Sequence, residues 1–142
     1  MRALLDVNVL LALFDSGHTF HARALQWWSA NKAEGWASCP LTENVYLRIA
    51  SQASDPRPVR LADAALHLRK WAVPPLHEFW PDDTSILDAG LIDHTRLLGP
   101  KQITDVYLLA LAVKHGGRLV TLDTGISVQA VKGARAENSV VV

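Results

Sequence analysis

The apolar positions of this chain change period several times, and each change marks an element. Arg2 to Asp6 is a short run of buried-strand type that ends on an acid, and Asn8 to Phe14 continues at helical spacing. Asp15-Ser16-Gly17 is turn chemistry. Phe20, Ala24, Trp27 and Trp28 then recur at helical steps and predict an amphipathic helix from His18 to Asn31. Trp36 to Ser38 predicts a second strand. Pro40 then opens a helix running to Gln52, at the position where its missing N–H leaves no bond unmade. Asp55-Pro56-Arg57-Pro58 breaks the chain. Leu61, Ala65, Leu68 and Ala72 trace the buried stripe of a further helix, which Pro74-Pro75 ends. Leu76 to Trp80 predicts a third strand, Thr84 to Ile92 a short helix, and the stretch to Gln102 a loop. Thr104 to His115 is apolar on nearly all sides, the mark of a buried helix, with Gly116-Gly117 as its stop. Arg118 to Leu122 is again of buried-strand type, Gly125 to Val131 a weak helix, and Ser139 to Val142 the last strand.

Strands alternating with helices predict an α/β domain with a mainly parallel sheet. A chain of 142 residues fits one domain, 1–142, and 49% hydrophobic with 20% charged residues is the balance of a globular protein. Fourteen Lys and Arg balance fourteen Asp and Glu, so no global positive field draws the chain onto nucleic acid and any RNA contact must be local. The single cysteine, Cys39, cannot form an internal disulfide, in keeping with a reducing, cytoplasmic setting. Asp6 and Asn8 interrupt the apolar N-terminus, which argues against a signal peptide, and no stretch approaches the roughly 20 apolar residues that cross a bilayer. The expectation is a soluble protein with no membrane attachment.

Four acids stand out against this pattern. In parallel sheets the functional crevice lies beyond the carboxyl ends of the strands, where Asp6 and Asp123 fall. Glu43 shares a helix face with Leu47 and Ala50, and Asp105 shares one with Leu108, Leu109 and Ala112. Charged groups on apolar stripes are costly unless paired, hydrogen-bonded or bound to metal. No obvious basic partners accompany these four, and clustered carboxylates repel one another unless a dication neutralises them. Magnesium or manganese suits an all-oxygen site; a zinc site does not fit one cysteine and no paired histidines. Each acid also has a plain structural role open to it: Asp6 as a helix cap, Asp105 and Glu43 as charges complementing a helix N-terminus, Asp123 as a turn residue. Thr104 is a candidate cap that would free Asp105.

Taken in order, Leu4-Leu5-Asp6-Val7-Asn8, Thr42-Glu43 with Arg48 beyond, Ile103-Thr104-Asp105-Val106-Tyr107 and Leu119-Val120-Thr121-Leu122-Asp123 resemble the motifs of PIN-domain nucleases, in particular VapC-type toxins of bacterial toxin–antitoxin pairs. The resemblance spans nearly the whole chain. It implies a three-layer domain with a parallel sheet flanked by helices, and Asp6, Glu43, Asp105 and Asp123 gathered around one or two Mg²⁺ or Mn²⁺ ions. Asn8 and Thr121 match supporting polar positions. It further implies an endoribonuclease inhibited by a small antitoxin that docks near the site, and all four acids are present.

Other residues carry weaker signals. His18, His21 and Arg48 are candidate RNA contacts, against plain surface roles. Arg57, Arg60, Arg69 and Lys70 form either a local phosphate-binding face or a solvated one. Trp27 and Trp28 suit a homodimer or antitoxin contact, or the core. A phosphoacceptor receiver domain would need a Lys where the strand ends at Asp123, and a haloacid dehalogenase-type phosphatase a second Asp at Asn8. A housekeeping nuclease without an antitoxin and a non-catalytic binding module are the remaining alternatives.

Overall fold

The computed structural model describes residues 1–52 and 54–142. All five predicted strands form: β1 (Ala3–Leu5), β2 (Trp36–Ser38), β3 (His77–Phe79), β4 (Arg118–Thr121) and β5 (Ser139–Val141). They make one sheet in the order β3-β2-β1-β4-β5, every pair parallel. Five helices of two turns or more connect them: α1 (Val7–Phe14), α2 (His21–Asn31), α3 (Pro40–Ala50), α4 (Leu61–Trp71) and α5 (Ile103–Lys114).

Side chains alternate across each strand and so feed two cores. On one face Ala3, Leu5, Trp36 and Val120 pack with Val9, Leu10 and Leu13 of α1, Ala24 of α2, Tyr46 and Ala50 of α3, and Ala64 and Leu68 of α4. On the other, Leu4, Ala37 and Leu119 pack against Val106, Leu108, Leu109 and Leu111 of α5, with Trp80 and Ile92 closing the layer. Helices on both faces are what a parallel sheet requires, because neither face can be left to water. No described helix is long and apolar enough to cross a membrane.

Local chemistry sets the boundaries. Helix α5 ends in a Schellman motif: the Gly117 N–H donates to Ala112 O at 2.8 Å and the Gly116 N–H to Val113 O at 3.0 Å, with Gly116 at φ +68°. Gly117 then passes so close to Trp80 and the Arg2 backbone that a Cβ would stand 2.6 Å from the indole, so a side chain is excluded there.

Four expectations need correction. Thr84 to Ile92 is not a helix but a series of turns: Ser85 Oγ accepts from Leu87 N at 3.1 Å and Asp88 Oδ1 from Gly90 N at 2.8 Å. Such side chains compete with the helical ladder for backbone donors. Gly125 to Val131 holds only the single 3₁₀ turn Val128–Ala130, because Val131 is drawn into an antiparallel bridge with Ile92. The inward stripe of α4 is Ala64, Leu68 and the half-buried Trp71; Leu61, in the helix's first turn, is exposed. Finally, α2 starts at His21 rather than His18, because His18 Nδ1 accepts the Phe20 N–H at 3.1 Å and closes a turn first.

Leu109 has no exposed surface and lies between α5 and the sheet. Leu109→Ala is expected to lower unfolding free energy by about 2–5 kcal/mol in a denaturant titration. Leu87→Ala, at a position 81% exposed, should change it by under about 0.5 kcal/mol.

Candidate metal centre

The chain leaves β1 toward β2 and β3, then returns through α5 to add β4 on the other side of β1. The direction of winding therefore reverses between β1 and β4, and the crevice of an open parallel sheet forms beyond the strand ends at such a switch point. Asp6 follows β1 directly, and Thr121 closes β4 with Asp123 two residues on. Asp105 stands in the first turn of α5, the helix covering that face.

Asp6 is 6% exposed and caps α1: its Oδ1 accepts from Val7 N at 2.7 Å and its Oδ2 from Thr121 Oγ1 at 2.7 Å. Thr121 Oγ1 accepts in turn from Asn8 Nδ2 at 3.3 Å and Asp123 N at 3.0 Å, while Asn8 Oδ1 accepts from Leu122 N at 3.1 Å. The hydroxyl's one donor and two acceptor positions are thus all used, and the ends of β1 and β4 are tied together by neutral groups. Asp123 Oδ1 accepts from Gly125 N at 2.7 Å, and Gln102 donates to Gly125 O, which joins this turn to the approach to α5.

The electrostatics place three aspartates in one field. Burial pushes the Asp105 carboxyl up to about 6, with the charges of Asp6 and Asp123 adding to the rise. Burial also raises Asp6; the hydrogen bonds from Thr121 and Val7 oppose that rise, and the Asp123 charge adds to it. No ion pair among the described residues includes Asp6, Glu43, Asp105 or Asp123. Negative charge is thus concentrated here without a protein cation, an arrangement suited to a divalent ion. Among the described residues, no three His, Cys, Asp or Glu side chains close into a ready ligand group.

Glu43 is not drawn into this cluster. Helix α3 starts at the same sheet edge, but the Glu43 carboxylate accepts from Ser38 Oγ at 2.6 Å, and Ser38 Oγ meets His77 Nε2 at 2.7 Å. Ser38 alternates with Ala37 and so faces the α1–α4 side, whereas Asp6 and Thr121 share the phase of Leu4 and Leu119 on the α5 side.

Thr104 does not cap α5. The 3₁₀ turn Pro100–Gln102 runs straight into the helix, leaving no extended cap residue, and Thr104 is exposed. The two histidines serve the turn between α1 and α2: His21 Nδ1 donates to Ala12 O at 2.8 Å, and His18 accepts from Phe20 N. Arg48 is exposed on α3. The predicted basic face is partly committed, with Arg57 bonded to Asp15 at 2.7 Å and Arg60 3.9 Å from Asp63. Trp27 and Trp28 are half-buried against the first core, Trp28 5.3 Å from Trp71 and Trp27 beneath the Arg118 guanidinium. Ser38 and His77 escaped the sequence reading; the one available signal was a hydroxyl at the last position of a strand, just ahead of an acid-bearing helix.

The fold and this cluster define a PIN domain: the family model for it matches residues 3–132, and the chain belongs to that family. It is 50% identical over 138 residues to ribonuclease VapC44 of Mycobacterium tuberculosis, covering 97% of each chain. It is 42% identical over 125 residues to ribonuclease VapC38 of the same organism, covering 87% of this chain and 86% of that one. Among solved structures, Mycobacterium tuberculosis VapC20, described as a sarcin-ricin loop cleaving toxin, shares the fold at a TM-score of 0.55 and 14% identity, covering 82% of this chain and 85% of that chain.

The raised Asp105 pKa has a sign that can be tested. Its native carboxyl holds a proton more tightly than the ordinary 3.8, so the stability it contributes is full below that value and is lost as pH rises through about 6. In chelator, the melting temperature should fall across this window, and Asp105→Asn should flatten the fall, as followed by circular dichroism at pH 4, 5, 6 and 7.

Proposed function

We propose that this chain is a Mg²⁺- or Mn²⁺-dependent endoribonuclease, the toxin of a two-component pair whose partner is a small antitoxin protein, and that it acts in the cytoplasm as a homodimer. The observation that carries the catalytic reading is the gathering of Asp6, Asp105 and Asp123, none of them in an ion pair, at the switch point of a PIN domain. The names of the ribonuclease relatives and of the structural neighbour support RNA as substrate and the toxin role.

Asp6, Asp105 and Asp123 would hold the ion, with Glu43 as the fourth acid. A bound dication supplies a water of lowered pKa and stabilises charge on the phosphodiester and leaving oxygens. The chain's own work is to fix the acids. Thr121 and the Val7 N–H hold both Asp6 oxygens, and Asn8 keeps the two strand ends in register. Neither nearby nucleophile is available for a covalent route. Ser38 is wholly buried and donates its hydroxyl hydrogen bond to Glu43, and burial pushes the Cys39 thiol up to about 11. This supports hydrolysis by water rather than through a bond to Ser38 or Cys39.

The test is incubation of the pure protein with total RNA in Mg²⁺, Mn²⁺ or chelator, with cut ends mapped. Cleavage should require the ion, and Asp6→Asn should reduce it by at least about a hundredfold, since outer-shell partners alone are worth about 10–100-fold. Undiminished cutting in chelator, or by Asp6→Asn, contradicts the proposal.

A further inference from the structure

Glu43 has two claimants. One is the aspartate cluster; the other is the pair it actually contacts, Ser38 and His77. Hydrogen-bond arithmetic gives that contact a direction. The Glu43 carboxylate only accepts, so the single Ser38 proton points at it, at 2.6 Å. Ser38 Oγ must then accept from His77, so Nε2 carries the proton across 2.7 Å. The chain of hydrogen bonds runs His77 to Ser38 to Glu43.

The seat is firmly built. Ser38 has no exposed surface, and the His77 ring lies 4.4 Å from that of buried Trp36. It also lies across the sheet from the aspartates, since Ser38 and Trp36 face the α1–α4 layer. Yet Glu43 starts from the edge that carries Asp6. Cys39 and Asp6 each follow the paired residues Leu4 and Ala37 by two positions, and Glu43 N donates to Cys39 O at 3.0 Å. Three mutually repelling acids discourage a fourth, whereas Ser38 offers it a proton.

We propose that Ser38 and His77 are positioning residues that compete with the aspartate cluster for Glu43 and so weaken its affinity for a divalent cation. The inference rests on reading the aspartates as a cation site with Glu43 as a member. When a competent conformer is only fractionally populated, apparent affinity falls by that fraction. A hydrogen bond to a charged group is strong enough to make that fraction about one in ten.

The experiment is calorimetric titration of Mn²⁺ into the full chain as wild type, Ser38→Ala, His77→Phe, Glu43→Gln and the Ser38→Ala/Glu43→Gln double variant, with folding of each checked by circular dichroism. Ser38→Ala should bind about tenfold more tightly. His77→Phe, which keeps a ring on Trp36 but removes the donor, should shift the same way by less, and the double variant should lose the gain. Binding by Ser38→Ala at or below wild-type affinity overturns the proposal; should that variant not fold, His77→Phe without tightening does so. If Glu43→Gln also binds as wild type, the membership of Glu43 in the site falls too. If it binds more weakly, only the competing seat is lost.

Discussion

The burial of two aspartates, Asp6 and Asp105, beside the charge of Asp123 is the constraint on which the candidate site depends. The parallel sheet winds outward from β1 in one direction and resumes beside it in the other, so two strand ends deliver acids to one crevice while α5 lowers a third onto it. Burial and proximity then hold Asp105 near 6, well above an ordinary aspartate. Such a cluster destabilises the fold that carries it, a familiar exchange of stability for function. Neutral donors offset part of that penalty. The Thr121 hydroxyl, the Asn8 amide and the Val7 N–H satisfy oxygens without supplying positive charge, which leaves the negative field intact.

The sheet divides the labour. Its α5 face carries the aspartates above a dry layer of Leu4, Leu108, Leu109 and Leu119. The opposite face, packed by α1 to α4, holds Ser38 and His77 with the Glu43 carboxylate. The carboxyl ends of the strands thus present acids to both sides of the sheet, Glu43 to the side of Ser38 and His77.

Much of this was legible in the sequence. Short apolar runs ending in an acid located β1 and β4, because buried parallel strands read as continuous hydrophobic stretches. The all-round apolar character of Thr104 to His115 predicts the helix observed as Ile103–Lys114 and makes the charge of Asp105 conspicuous. The direction taken by Glu43 was not legible. Helical phase fixes a Cβ, whereas the carboxylate lies further out and answers to partners such as Ser38 and His77 that only the sheet register brings near. The turns at 84–91 were misread because Ser85 and Asp88 captured backbone donors locally, a choice that apolar spacing does not report. The spacing makes Leu61 part of the α4 stripe because periodicity does not show which first-turn residue meets the core; Ala64 fills that place.

The most direct measurement is the anomalous scattering of Mn²⁺ in crystals of the chain grown with that ion. A peak among the Asp6, Asp105 and Asp123 carboxylates is the predicted result. Ordered aspartates with no peak between them, or manganese bound only at other surface acids, would contradict the account.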